Sequence, residues 1–187
     1  MRVVGGELRS RRFDIPRTFK ARPTTDFAKE NLFNVLSNLM DFDGAVALDL
    51  FSGTGSISLE LVSRGCSQVI SVEKDPLHHS FIREVMERVK TDHCVTIRGD
   101  AFKFIKRCST QFNLIFADPP YQMSGLALLP ELIFSRQLLM PEGIFVLEHG
   151  DKSRFTDNPN FFQMRVYGAV HFSFFRAKGK ANEEQTP

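Results

Sequence analysis

Between residues 45 and 148, short apolar runs alternate with segments in which apolar residues recur at helical spacing. The apolar runs predict strands at 45–51, 68–73, 95–98, 112–117 and 143–148. The intervening segments predict helices at 56–64, 76–90, 101–107 and 125–134. The first run is apolar almost throughout, which is typical of a strand covered on both faces. This alternation predicts a parallel sheet with right-handed helical crossovers.

The last two apolar runs cannot follow the same alternation. Residues 161–167 and 170–176 are separated only by Gly168 and Ala169, which leaves no room for a helix. They must therefore pair as an antiparallel hairpin, and the chain predicts a mostly parallel seven-stranded sheet with this hairpin at its C-terminal end. The polar tail at 177–187 is predicted to be disordered.

Before the alternation begins, the chain predicts a helix and a small hairpin. Apolar residues within 24–40 fall on one helical face, and a threonine at its start can cap the helix. Residues 2–15 predict a β-hairpin that turns at Gly5-Gly6, because glycine tolerates the positive φ angles of tight turns. We therefore predict a hairpin extension at 1–22, followed by an α/β domain at 23–176.

The composition is that of an ordinary globular protein. Of 187 residues, 42% are hydrophobic and 25% are charged, and 19 phenylalanines provide a large potential core. No apolar run approaches membrane-spanning length, and the N-terminus lacks the apolar stretch of a signal peptide. We expect a cytoplasmic protein that acts as a monomer.

The basic residues are concentrated at the N-terminus, although the net charge of the whole chain is only +2. Residues 1–22 contain seven basic and two acidic side chains, a net charge of +5, so the remainder carries −3. A cationic arm on a mildly anionic body indicates a polyanionic partner, and a solvated tail is the alternative. The residues predicted to contact the polyanion are Arg9, Arg11, Arg12 and Lys20.

Neither the cysteines nor the adjacent histidines predict a metal site. Cys66, Cys94 and Cys108 are too far apart for a metal knuckle, and without a secretion signal we expect reduced thiols. His78 and His79 would face different sides of a helix. We therefore expect no bound metal.

A turn containing two glycines follows the first predicted strand. Ligands of such sheets bind at the carboxyl ends of the strands, and Gly53 and Gly55 would let a ligand approach the backbone closely. Asp49, beside them, is a poor neighbour for a pyrophosphate and a good one for a cation. This favours S-adenosylmethionine, which carries a sulfonium and no phosphate, over a dinucleotide such as NAD.

The next two strands also end in carboxylates. Glu73 lies 20 residues after Gly53, a spacing at which a carboxylate accepts hydrogen bonds from both ribose hydroxyls of an adenosine. Asp100 follows the third strand and can accept from the exocyclic amine of adenine. Because buried carboxylates without a ligand are costly, we predict that this set forms a cofactor site.

The fourth strand runs directly into Asp118-Pro119-Pro120-Tyr121. The prolines fix the backbone, so that the Asp118 carboxylate and the Pro119 carbonyl can both accept from one amino group. Tyr121 offers a ring on which a base can stack. An aryl amine is a poor nucleophile, and two acceptors would direct its lone pair toward the methyl group to be transferred. The alternative is a rigid turn without chemistry.

The Asp-Pro-Pro-Tyr motif resembles that of methyltransferases acting on amino groups of DNA adenines, rRNA guanines and glutamines. Four further segments narrow the resemblance to the RsmD-type 16S rRNA (guanine-966 N2)-methyltransferase family. In order, they are RVVGG at 2–6, RPTTD at 22–26, NLFNVL at 31–36 and DLFSGTG at 49–55. The resemblance extends from residue 2 to about Gly168.

This resemblance implies a Rossmann-like class I fold, S-adenosyl-L-methionine as cofactor, and ribosomal RNA or the small ribosomal subunit as partner. The residues implied around the cofactor are Asp49, Gly53, Gly55, Glu73 and Asp100, with Arg22 and Thr24 near its methionine end. The residues implied to hold the guanine are Asp118, Pro119 and Tyr121. The family usually carries an arginine early in the helix after Asp26, where this chain has Phe27-Ala28-Lys29, and Lys29 is expected to replace it imperfectly in any RNA contact.

Three other functions are compatible with parts of this pattern. A DNA adenine N6-methyltransferase would share the motif, but the chain lacks an obvious domain for reading duplex sequence. A non-catalytic RNA-binding assembly factor would be expected to have lost Asp118 or the glycines. An NAD oxidoreductase would have no use for the Asp-Pro-Pro-Tyr motif.

Overall fold

The computed structural model describes residues 1–19 and 25–176. Its helices are α1 (Asp26–Ser37), α2 (Ser56–Ser63), α3 (Pro76–Val89), α4 (Ala101–Arg107) and α5 (Leu129–Ser135). Its strands are β1 (Val46–Leu50), β2 (Gln68–Glu73), β3 (Cys94–Arg98), β4 (Phe112–Ala117), β5 (Leu139–His149), β6 (Phe161–Tyr167) and β7 (Val170–Arg176). No helix in these ranges is long and apolar enough to cross a membrane.

The seven strands form one sheet in the order β3-β2-β1-β4-β5-β7-β6. The pairs from β3 to β5 are parallel, and β7 is antiparallel to both β5 and β6. The predicted fold class, with its C-terminal antiparallel hairpin, is therefore confirmed. The chain order reverses between β1 and β4, and this reversal opens a crevice at the carboxyl edge of the sheet.

Helices cover both faces of the sheet, because successive strand residues point to opposite sides. In β1, Ala47 packs in the cluster formed with α1 and α2, while Leu48 and Leu50 pack in the cluster formed with α4 and α5. These residues are fully buried, which explains why every residue of this strand except Asp49 is apolar.

The helix predicted at 125–134 is divided in the structure. A short 3₁₀ turn at Leu126–Leu128 precedes α5, whose first turn contains Pro130. Proline lacks a backbone N–H and is favoured in the first helical turn, so a new helix begins there. Strand β5 begins earlier than predicted, at Leu139, because its pairing with β4 shifts register between Phe112 and Leu114 and continues on both sides of the irregularity.

The N-terminal segment pairs antiparallel as predicted, and Gly6 has the positive φ angle of a turn, 71°, but the connection is longer than a two-residue turn. The bridge joins Arg2 and Arg12, and the connection occupies residues 5–10. Gly6 also lies against the C-terminal end of α2, where a Cβ atom would come within 1.8 Å of the Ser63 carbonyl oxygen. The glycine therefore serves close packing against a helix, which a local sequence pattern does not reveal.

A buried charged network joins this N-terminal segment to α1 and α2. Lys29 is 1% exposed, and its Nζ donates to the Arg2 carbonyl and to Ser56 Oγ, at 2.5 and 2.9 Å. The fully buried Glu60 lies 3.8 Å from Lys29 Nζ and accepts from the backbone N–H of Val4 at 2.8 Å. Lys29 is therefore not placed to replace an RNA-contacting arginine of the family, even imperfectly, because its amino group is enclosed by an internal carboxylate and a carbonyl.

Candidate active site

The carboxyl ends of the parallel strands bring most of the predicted site residues to one edge of the sheet. The residues following or ending β1 to β4 at this edge are Asp49, Gly53, Gly55, Glu73, Asp100, Asp118, Pro119 and Tyr121. Arg22, Thr24 and Lys20, which were also predicted, lie outside the described residues. In the described part of the chain, no group of three or more His, Cys, Asp or Glu side chains could hold a metal ion.

The glycine turn has the backbone conformation that its sequence predicts. Gly53 and Gly55 have φ angles of 54° and 72°. A Cβ at Gly55 would lie 2.9 Å from Ile82 on α3, whereas a Cβ at Gly53 would come no closer than 3.9 Å to any atom beyond its chain neighbours. Gly55 therefore permits tight helix packing, and Gly53 leaves the backbone open to a ligand.

Asp49 is a buried carboxylate at the start of this turn. It is 1% exposed, and its Oδ2 accepts from the backbone N–H and the hydroxyl of Ser58, at 3.0 and 2.5 Å. Burial raises the pKa of Asp49 to about 7 despite these hydrogen bonds, and the neighbouring charge of Glu73 acts in the same direction. A cation bound next to Asp49 would favour its ionised form.

Glu73 holds the backbone around the crevice. Its Oε2 accepts from the Gly53 N–H and its Oε1 from the Asp75 N–H, both at 2.7 Å. Asp100 caps α4 by accepting from the Lys103 N–H at 3.1 Å, and its Oδ2 lies 3.7 Å from Lys74 Nζ. Both carboxylates are thus oriented by structural contacts, and their assignments to ribose and adenine stay predictions.

Glu148, near the end of β5, is a candidate site residue that the sequence pattern did not predict. It is 3% exposed and accepts a hydrogen bond from the hydroxyl of Tyr121 at 2.9 Å. The Tyr121 ring also packs so closely on Gly150 that a Cβ there would lie 3.0 Å from the ring. A carboxylate ending an apolar run was the available signal, since the same pattern had identified Glu73.

Asp118 lies next to Glu148 because β4 and β5 pair in parallel with Ala117 opposite Leu147. Its backbone N–H donates to the Leu50 carbonyl at 3.3 Å, which fixes the start of the motif against β1. Burial, followed by the charges of Glu148 and Asp49, raises the pKa of Asp118 well above its usual value. A carboxylate in this state is a stronger proton acceptor than an exposed aspartate.

Arg9, Arg11 and Arg12 are exposed on the N-terminal segment. The guanidinium of Arg11 lies 6.0 Å from the centre of the Phe13 ring, and Phe13 is buried against α3. The segment thus has an apolar side held against the domain and a cationic side that faces solvent.

The crevice fits S-adenosylmethionine, because an open glycine backbone lies beside buried carboxylates that a sulfonium and an amino group would compensate. Fold and site together define an S-adenosylmethionine-dependent methyltransferase. The family model described as "Conserved hypothetical protein 95" matches residues 1–176, and the chain belongs to this family, the RsmD family.

Known relatives agree with this assignment. The chain is 32% identical over 189 residues to "Putative rRNA methyltransferase YlbH" of Bacillus subtilis, covering 96% of this chain and 100% of the relative. It is 25% identical over 187 residues to "Ribosomal RNA small subunit methyltransferase D" of Escherichia coli K12, covering 98% and 93%. The solved structure "Putative methyltransferase yhhF from Escherichia coli" shares the fold with a TM-score of 0.85 at 24% identity, covering 96% of this chain and 99% of that one.

The raised pKa of Asp49 predicts a stability that falls as pH rises. The pKa of Asp49 is about 7 in the folded state and 3.8 in the unfolded state, so the folded state binds the proton more tightly. Stability is therefore lost as the pH rises from the lower to the higher of these two pKa values. Between pH 5.5 and 8, wild type should lose about 2 kcal/mol of unfolding free energy relative to Asp49→Asn. Urea unfolding at both pH values measures this difference, with Asp92→Asn, a fully exposed carboxylate, as the control. Equal pH dependence in wild type and Asp49→Asn would contradict the assignment.

Proposed function

We propose that this chain transfers a methyl group to the N2 amino group of a guanine in small-subunit (16S) ribosomal RNA. The observation that carries the guanine assignment is the pair of neighbouring carboxylates, Asp118 and Glu148, at the ends of β4 and β5. The names of the Bacillus and Escherichia relatives support ribosomal RNA as the substrate and the cytoplasm as the site of action. A Thermus thermophilus structure described as a 16S rRNA N2 G1207 methyltransferase with AdoMet and guanosine shares the fold, with a TM-score of 0.68 at 19% identity.

The two carboxylates suit the hydrogen-bonding edge of guanine better than that of adenine. Guanine presents N1–H and the N2 amino group side by side, which are both donors. Adenine presents its N6 amino group beside N1, which is an acceptor. An ionised carboxylate only accepts hydrogen bonds, so with both side chains ionised Asp118 and Glu148 match two adjacent donors and disfavour an adenine N1. The two N–H donors of guanine would favour the ionised form of Asp118 against the burial that raises its pKa. The site therefore selects guanine by its Watson–Crick edge.

Methyl transfer requires that the N2 lone pair be turned toward the methyl donor. The Asp118 carboxylate and the Pro119 carbonyl accept the N2 hydrogens, while Tyr121, fixed by Glu148 and Gly150, supports the ring of the base. S-adenosylmethionine supplies an electrophilic methyl group whose bonding electron pair stays on sulfur. As N2 forms the new N–C bond it becomes cationic, and Asp118 accepts the proton that it releases.

The cofactor would be held by the strand ends on the other side of the crevice. Gly53 and Gly55 give it access to the backbone, and Asp49 offsets its cationic groups. Glu73 accepts from the ribose hydroxyls while it holds its two backbone amides, since each carboxylate oxygen accepts more than one hydrogen bond. Asp100 accepts from the adenine amine.

The decisive experiment is nucleoside mass spectrometry after incubation of the protein and S-adenosylmethionine with unmethylated 16S rRNA or small subunits. We expect N2-methylguanosine at one site and no N6-methyladenosine. Asp118→Ala should lose at least about 100-fold in turnover while it still binds the cofactor in calorimetric titration, because its contacts form in the transition state. N6-methyladenosine as the product, or near-normal turnover of the variant, would overturn the proposal.

The role of Glu148 can be tested with altered bases. In a short RNA substrate, 2-aminopurine at the target position keeps the 2-amino group and replaces N1–H with an acceptor. We expect wild type to methylate it at least about 10-fold less efficiently than guanine, since one carboxylate then faces an acceptor. In Glu148→Gln, the amide N–H can donate to the N1 acceptor of 2-aminopurine. The ratio of guanine methylation to 2-aminopurine methylation should therefore be smaller than in wild type. Gln111→Glu, directly before β4 and so at the opposite edge of the sheet from the crevice, is a control expected to leave it unchanged.

An unaltered ratio in Glu148→Gln would remove Glu148 from base recognition. Inosine, which lacks the 2-amino group, serves as the negative substrate. Because every measurement compares two bases on one protein, a general loss of activity in the variant does not affect the conclusion.

The exposed arginines of the N-terminal segment predict a salt-dependent RNA contact. Each phosphate neutralised releases condensed counterions, so replacing Arg9, Arg11 and Arg12 with alanine should flatten the slope of log affinity against log salt by about two to three units. Filter-binding titrations of RNA at several salt concentrations measure this slope. The matched control replaces three exposed basic residues of α4 with alanine, namely Lys103, Lys106 and Arg107. Equal slopes for wild type and the arm variant would show that the segment does not contact RNA.

A further inference from the structure

An exposed aromatic ring stands at the start of α1. Phe27 is 67% exposed, the highest value among the large apolar side chains in residues 1–19 and 25–176. Its ring meets that of Tyr167 edge-on, with the ring centres 6.1 Å apart and the planes at 87°. Tyr167 in turn packs on the fully buried Phe172, at 6.1 Å between ring centres. The accessible ring of Phe27 thus contacts Tyr167, which itself packs against a core residue.

The pair lies at the same edge of the sheet as the candidate active site. Tyr167 ends β6 and pairs with Val170, while the following β7 residues pair with Glu148 and His149 of β5. On the other side, Lys29, two residues after Phe27, donates to Ser56 directly after the glycine turn. Phe27 therefore contacts the end of β6 from a helix whose first turn also reaches the residue directly after the glycine turn.

Arginines lie near the aromatic pair in the chain or in the fold, although Arg2 is itself paired with Asp26 and Glu30. Arg2 donates to Asp26 at 3.0 Å, which brings the basic N-terminal segment to the first residue of α1. Arg12 is exposed, and its backbone pairs with that of Arg2 in the antiparallel bridge of the N-terminal segment. Arg165 is also exposed and lies two residues before Tyr167 on the same face of β6. Phosphates and a base face are the groups that this combination accommodates.

The exposed apolar surface is narrow where it meets this edge. Among the other exposed apolar residues of β6, Phe162 lies at the opposite end of the strand from Tyr167. Met164 and Val166 pair with Ser173 and His171 and so point to the opposite face of the sheet from Arg165 and Tyr167. A protein partner would require a broader apolar patch, whereas one nucleobase covers an area close to that of a single aromatic ring.

We propose that Phe27 and Tyr167 form a stacking platform for an unpaired RNA base next to the target guanine. The proposal rests on the proposed function for its RNA substrate, but not on the identity of the methylated atom. Stacking the neighbouring base compensates part of the cost of unstacking the target, and the arginines hold the intervening backbone.

The chain has no tryptophan, so Phe27→Trp introduces a single indole at the platform. Titration with a short single-stranded RNA that wild type methylates should quench its emission in a saturable way, because a stacked base quenches an indole. The control, Phe162→Trp, carries an exposed ring beside Arg176 at the opposite end of β6. We expect little or no quenching there. Equal quenching at both positions, or none at position 27, would overturn the platform.

A second series separates stacking from simple apolar contact. Phe27→Ala and Phe27→Leu should each weaken RNA binding by about 5- to 150-fold, and Phe27→Tyr should restore it, while the affinity for S-adenosylmethionine stays unchanged in all three. RNA affinity equal to wild type in Phe27→Leu would refute stacking. Two measurements distinguish the two proposals: quenching of Phe27→Trp with and without Asp118→Ala in the background, and methylation by Phe27→Trp alone. Quenching in both proteins leaves the platform standing, whichever base is methylated. Methylation by Phe27→Trp without quenching removes only the platform.

Discussion

The parallel pairing of β1 with β4 is the constraint on which the site depends. The direction in which successive strands are added to the sheet reverses between β1 and β4. The glycine turn and the Asp-Pro-Pro-Tyr motif therefore open toward the same crevice. The hydrogen bond from the Asp118 N–H to the Leu50 carbonyl extends this pairing by one residue beyond the strand. The motif that we propose holds the base is therefore aligned by the same ladder that positions the turn proposed for the cofactor.

The crevice concentrates negative charge at a cost to stability. Burial raises the pKa values of Asp49 and Asp118, and neighbouring charges add to it, Glu73 at Asp49 and then Glu148 and Asp49 at Asp118. Such an arrangement is unfavourable in an unliganded protein and becomes favourable when cationic or donor groups enter. A ligand that carries a sulfonium and an ammonium would compensate these buried carboxylates, and so would a base edge that carries two hydrogen-bond donors.

The fold could be predicted from the local sequence pattern, because the secondary-structure periodicities and the residues at the strand ends are both visible within short segments of the chain. Strand and helix periodicities follow from burial on one or two faces, and the acidic and glycine residues stand at strand ends that the alternation itself defines. The strands 68–73 and 112–117 were predicted with the observed bounds. The Asp-Pro-Pro-Tyr motif was likewise identified from local sequence, because two prolines directly after a buried strand fix the backbone more rigidly than an ordinary turn requires.

What the pattern could not predict depends on contacts between distant segments. The burial of Lys29 requires Glu60, 31 residues further on, and the packing of Gly6 requires Ser63. Glu148 becomes a candidate site residue only through its hydrogen bond from Tyr121, which follows the neighbouring strand. In each case the residue type was compatible with an ordinary exposed or turn position, and only tertiary structure decided between the alternatives.

These distant contacts also connect the surfaces assigned to RNA and to cofactor. Glu60 binds the backbone of the basic segment through Val4 and the start of α1 through Lys29, and Lys29 in turn holds Ser56, directly after the glycine turn. Because buried charges tolerate little displacement, the segment cannot shift without disturbing the beginning of α2. The backbone that carries the arginines is thus fixed relative to the crevice, so an RNA backbone bound by them, as we propose, would meet the carboxyl edge of the sheet in one orientation. A flexible basic tail would increase affinity for RNA but could not provide this alignment.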